Sequence, residues 1–215
     1  MQQTILRLES LCEEAIKDRS NLNELFQSAR PRLLRIINLR SPPQLNQRVD
    51  SEDVLQETFV RATQRFNEFA NERRVPVFVW LRGLALERLV EFKRQHLGAA
   101  KRDLGREVSM RQWLNETSLE MTRRWAMNAK SPSQIVSDRQ RSEDLKRALE
   151  WLPENYREVL VLRFFESLSV AETAVALDCS IANAKVLQFR ALKKLNQILR
   201  DKIGWDSADR QEDSQ

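Results

Sequence analysis

A chain of 215 residues, 41% hydrophobic and 31% charged, carries apolar material for one or two compact cores under a heavily solvated surface. Two cysteines, one histidine and four glycines leave no disulfide framework, no zinc knuckle, no histidine-based catalytic centre and no glycine-rich phosphate loop, so neither metal nor other cofactor is expected. The 36 Lys and Arg against 31 Asp and Glu give a net charge of +5, which permits nucleic-acid binding without requiring it, and no run approaches the roughly 18 apolar residues of a membrane span.

Apolar residues recur at helical spacing almost throughout, which predicts an all-α protein. The first helix is expected at about 4–17. Its early acids set MQQTILRLESLCEEAIKD apart from a signal or transit peptide, and the chain is expected in the cytoplasm. A second helix over 21–40 stops at Ser41-Pro42-Pro43. Asp50 caps a third that runs to about Arg65. After a polar loop around Phe69–Val75, Pro76 opens a fourth from Val77 to His96, with Phe78, Leu81, Leu84, Ala85, Leu89 and Phe92 at core spacing. These four helices make one unit, residues 1–97. Gly98 and Gly105 begin a basic linker, 98–132, with isolated Trp113 and Trp125 and a short helix expected near 108–127. Ser131-Pro132-Ser133-Gln134 opens a second unit, 133–201, with helices at about 133–151, 154–165, 169–177 and 181–201. Residues 202–215 read as an acidic disordered tail. Cys12 and Cys179 read as small apolar packers rather than redox sensors.

The sharpest local pattern is SVAETAVALDCSIANAKVLQFRALKKL, Ser169 to Leu195. Ser169-x-x-Glu172 is a capping box that starts a short helix packed through Val170, Ala174 and Leu177. Asp178-Cys179-Ser180 makes a tight turn. A longer helix follows, basic and free of acids over 181–195, with Ile181, Ala184 and Leu195 available for packing. This order matches a helix-turn-helix whose second helix enters the major groove. Ser180 caps that helix and turns its first amides toward phosphate, while Lys185, Gln188, Phe189, Arg190 and Lys193 lie within reach of bases or backbone. The segment taken alone is equally open to being a helical hairpin with a solvated basic face.

A second pattern is DSEDVLQETFVRA, in which Asp53, Gln56 and Glu57 stand at i, i+3 and i+4 and form one polar stripe. Its readings are a protein-docking stripe or a solvated face. Metal-assisted chemistry would need a cluster of further ligands that the sequence does not supply.

Together, DSEDVLQETFVRA, FVWLRGLALERLVEFKR and LPENYREVLVLRFFESLSVAETAVALDCS resemble, in order and spacing, the bacterial RNA polymerase sigma factors of the extracytoplasmic-function group, over about residues 22–97 and 140–200. The resemblance implies two small helical domains, region 2 and region 4, in a promoter-specificity subunit with no enzymatic activity. The partners it implies are core RNA polymerase, promoter DNA and an inhibitory anti-sigma factor. Carried over, Asp53, Gln56 and Glu57 dock on the polymerase clamp helices. The segment from Phe66 to Arg94 reads and opens the −10 element, with Phe66, Phe69 and Phe78 offering stacking surfaces to unpaired bases. Trp80 matches the family's tryptophan, with a core role as its alternative. Arg82, Arg88, Lys93 and Arg94 lie along the DNA backbone or stay solvated. In the −35 reader, Lys185, Phe189 and Arg190 match the recognition-helix contacts and Arg163 supports them. Three departures stand out. Glu87 replaces the family's frequent Asn beside a flipped −10 base, Leu187 stands where an arginine is frequent, and the loop between Phe69 and Trp80 is longer than usual. The runner-up reading is a stand-alone helix-turn-helix regulator, which leaves residues 50–97 without a task.

Overall fold

The computed structural model describes residues 2–41, 50–97, 114–118, 144–145 and 147–203. Helices account for the secondary structure, and no strand occurs among the described residues. Helix α1 (Gln2–Lys17) leads through a 3₁₀ turn, capped by the Asp18 carboxylate on the Ser20 amide, into α2 (Leu22–Arg40). Helix α3 (Ser51–Glu72) begins at Asp50, whose side chain accepts from the Glu52 amide. It continues past the expected end at Arg65, because the helical repeat must persist for Phe66 and Phe69 to reach the core. It ends on Arg73 in the left-handed region (φ 38°), where Glu9 and Glu13 of α1 hold the guanidinium. Helix α4 (Val77–Leu97) follows at once, and Glu9 also accepts from its first amide at 3.0 Å. The polar loop is therefore only the short Arg73–Pro76 junction.

The four helices bury one cluster that includes Leu8, Leu25, Leu33, Ile36, Val54, Leu55, Phe66, Phe78, Leu81 and Leu89. Each such side chain removed from water contributes on the order of 1.5–3 kcal/mol. Cys12 belongs to this cluster, and burial pushes its thiol up to about 11 against the opposing pull of Arg73.

Helix α5 (Glu154–Leu160) continues into a π-turn, Val161–Phe165. Helix α6 (Val170–Ala176) and helix α7 (Ile181–Ile203) complete the chain described. Ala148, Leu149, Leu152, Val159, Leu160, Ala191, Ile198 and Leu199 form a second core. Leu162 and Leu168 do not join it. They insert instead into the first cluster, so the two helical units are in direct apolar contact. Of the expected linker, 114–118 is helical; Trp113, Trp125, the start of the second unit at 131–143 and the tail lie outside the described residues.

Candidate nucleic-acid interface

The α6–turn–α7 hairpin is held by its own backbone and caps. Ser169 Oγ accepts from the Glu172 amide at 3.1 Å and Glu172 accepts from the Ser169 amide at 2.7 Å, a complete capping box. At the other end Asp178 is left-handed (φ 49°), its amide bonding Val175 O and the next amide bonding Ala174 O. This paired closure is a Schellman motif. Aspartate tolerates that conformation better than most side chains. Ser180 then accepts from the Asn183 amide at 3.1 Å and starts α7.

Along α7 one face packs through Ala184, Ala191, Ile198 and Leu199. Lys185, Phe189, Arg190 and Lys193 all lie exposed on the remainder, Phe189 at 69%. Exposed Ile181 and Val186 stand among them. Ile181, expected to pack, is 51% exposed because it precedes the first turn whose inward position is Ala184. An aromatic and two aliphatic side chains among cations fit groove recognition, where apolar contact reads a thymine methyl and cations meet phosphate. Gln188 is half-buried on the flank of this face: its amide oxygen accepts from Arg163 Nε at 2.9 Å. Arg163 also donates to Leu168 O, which anchors it on the turn before α6. Leu187 packs against the second core, so the position without an arginine serves packing.

On α3, Asp53 and Gln56 are exposed, with Val60 exposed one turn on. Glu57 is half-exposed and ion-paired with Arg88 of α4. The stripe is thus an acidic and amide-bearing surface with one apolar residue.

The α4 expectations need correction. Phe66, Phe69 and Phe78 are core residues, not stacking surfaces: the helices that carry them turn them toward α1 and α2. Trp80 is half-buried, stacked on Phe69 with ring centroids 4.2 Å apart. Arg82 is neither solvated nor aligned for DNA, since Glu166 accepts from it at 2.6 and 3.2 Å in a buried pair. Arg88 turns inward to Glu57 and Glu91 and lies over the Phe92 ring. Glu87 is exposed, 3.7 Å from Arg65. Side chains of Lys93 and Arg94 lie outside the described residues.

A set of residues escaped the sequence reading altogether. Arg32 and Arg40 on α2 meet Glu158, Glu166 and Glu172 of the second unit. These partners lie more than a hundred residues apart, and no local pattern announces them.

Residues 142–195 match the family described as Sigma-70, region 4, which covers α5, α6 and most of α7. The ECF RNA polymerase sigma factor SigD of Mycobacterium tuberculosis (strain ATCC 25618 / H37Rv) is 30% identical over 190 residues, 88% of this chain and 82% of that protein. The chain belongs to the ECF RNA polymerase sigma factors. The sigma factor is also similar to SigX of Bacillus subtilis (strain 168), 26% identical over 71% of this chain and 74% of that one. SigM of the same organism is 29% identical over 69% of this chain and 78% of its own length. As a member of this family the sigma factor directs RNA polymerase to promoters, and the stand-alone regulator is not favoured. Among its described residues no group of three or more His, Cys, Asp or Glu is placed to hold a metal ion, and no helix is long and apolar enough to cross a membrane.

Proposed function

We propose a division of labour along this sigma factor. Residues 1–97 dock on core polymerase and open the −10 element, and residues 133–201 read the −35 element. The observation that carries the −35 half is the uncovered face of α7, where Lys185, Phe189, Arg190 and Lys193 stand free beyond a helix start capped by Ser180. Arg163 acts indirectly by holding Gln188, and Arg190 and Lys193 supply phosphate contacts. Asp53, Gln56 and Glu57, with Val60, form the polymerase-docking surface. In the first unit Glu87 is the exposed candidate for a −10 base, where a carboxylate accepts from an exocyclic amine such as that of cytosine. Trp80 offers the partly open aromatic edge of the Phe66–Phe69–Trp80 cluster.

Each unit alone neutralises few phosphates, so free affinity is low and falls with salt. Docking on polymerase makes the second contact intramolecular and raises avidity. The sigma factor acts without catalytic chemistry of its own, in the cytoplasm and on the nucleoid when bound to polymerase, and an anti-sigma partner restrains it.

Run-off transcription with core polymerase tests this reading. Added protein should give discrete transcripts from a subset of promoter fragments. Lys185→Ala and Arg190→Ala should reduce −35-dependent transcripts while core binding persists; loss of core binding by these variants would refute the division of labour. Asp53→Ala should show the reverse pattern.

A further inference from the structure

Glu166 is 2% exposed and lies where the two units meet. It accepts from Arg40 Nε at 2.6 Å and from Arg82 at 2.6 and 3.2 Å. Arg40, wholly buried, also donates to Glu158 at 2.7 Å, to Ser118 Oγ at 2.7 Å and to Leu114 O at 2.9 Å. At the edge of the same contact Arg32 lies 3.5 Å above the Phe78 ring and donates to Glu172 at 3.2 Å. Arg35 donates to Ser167 Oγ at 3.3 Å. Every arginine comes from α2 or α4, and the three carboxylates come from the second unit. The segment that presents them is unusual: a π-turn followed by Ser167 in the left-handed region (φ 58°). Departures of both kinds concentrate at functional positions.

We propose that this contact is an autoinhibitory latch. Glu166 and Glu172 occupy, within the chain, an arginine face that α2 and α4 offer to promoter phosphate once the units separate, and docking on core polymerase separates them. The chemistry is one of substitution, because the same guanidinium fork takes carboxylate or phosphate. Burial makes the latch close as a unit, since leaving any of these charges buried without its partner is strongly unfavourable. The DNA-competition half of the proposal rests on the assignment of α4 to the −10 element. The closure itself does not.

Spin labels at Gln64→Cys on α3 and Asn196→Cys on α7, both exposed sites, report the separation of the units in the full chain. Cys179→Ser removes the half-buried native thiol, and Cys12 is buried beyond the reach of the label. Double electron–electron resonance should show one narrow distance in the free protein and a longer one on addition of core polymerase. Glu166→Gln should lengthen the distance without polymerase and tighten core-free binding to a promoter fragment by about tenfold, within the usual range of such couplings. Should Glu166→Gln fail to fold, Arg32→Gln at the solvent edge serves the same purpose with less disturbance.

A broad distance distribution in the free wild type, or one unchanged by core, overturns the latch while leaving run-off transcription intact. An opened variant with unchanged DNA affinity overturns competition with DNA. Absence of core-dependent transcripts from the wild type would instead strike the functional assignment, whatever the distances.

Discussion

Phe66 and Phe189 have the same side chain and opposite duties. Phe66 is 1% exposed among α1, α2 and α4, whereas Phe189 projects from α7 into solvent. Phe66→Ala should cost about 3–5 kcal/mol in urea unfolding. Phe189→Ala should stay within about 0.5 kcal/mol of wild type yet weaken −35 binding in a promoter assay with holoenzyme. A Phe189 variant that unfolded early would place that ring in a contact rather than on the DNA-binding face. The sequence reading separated these two unevenly. Phe189 was legible because capping box, turn and acid-free helix are all local signals, each within a few residues of the next. Phe66, Phe69 and Phe78 were misassigned because helical spacing is the same for a core ring and for a ring facing a base. Only the direction of the helix face distinguishes them, and that depends on α1 and α2 packing from outside. Arg82 was misassigned for a stronger reason: its partner is 84 residues away in sequence.

Helix ends were the most legible features, since each rests on a cap within a few residues. Asp50, Ser169 and Ser180 all accept the expected backbone amides. Ser180→Ala should therefore cost about 0.5–2 kcal/mol, and should lower promoter affinity further by fraying the first turn of α7. Gly83 lies in the interior of α4, and a methyl group added there meets no atom within 4 Å. Gly83→Ala should raise stability by about 0.5–1 kcal/mol through reduced freedom of the unfolded chain, measured as a higher urea midpoint at constant slope. The length of α3 was the element-level miss. Its end is set by Arg73 meeting Glu9 and Glu13, a contact with α1 that local spacing cannot report.

Two cores joined by a buried charge cluster should behave as one cooperative body until the charges fail. Burial alone would raise the Glu166 pKa, but the Arg40 and Arg82 charges outweigh it and hold the carboxyl down to about 2. In the unfolded chain the same group titrates near 4.3. A depressed folded value means that the contribution is complete above about 4.3 and is lost as pH falls toward about 2. Arg40 and Arg82 stay cationic throughout, while Glu158, facing Arg40 from α5, and Glu172, facing Arg32 from α6, share the window as ordinary or paired carboxylates. Stability of the wild type should fall across that interval more steeply than that of Glu166→Gln. Equal slopes in acid urea titrations would show that the cluster does not couple the units.

The π-turn at Val161–Phe165 fixes the angular phase of all that follows it. It holds one residue more per loop of backbone than an α-helix does, and the Glu166 amide closes it on Val161 O at 3.0 Å. Removing a single residue there would let the backbone relax to the α repeat and swing Glu166 by about 100° around the helix axis. The capping box, the Schellman closure and the α7 groove face all lie downstream and keep their own bonds. A one-codon deletion thus works like a clutch: it disengages the two DNA-reading units from each other while leaving each able to turn on its own.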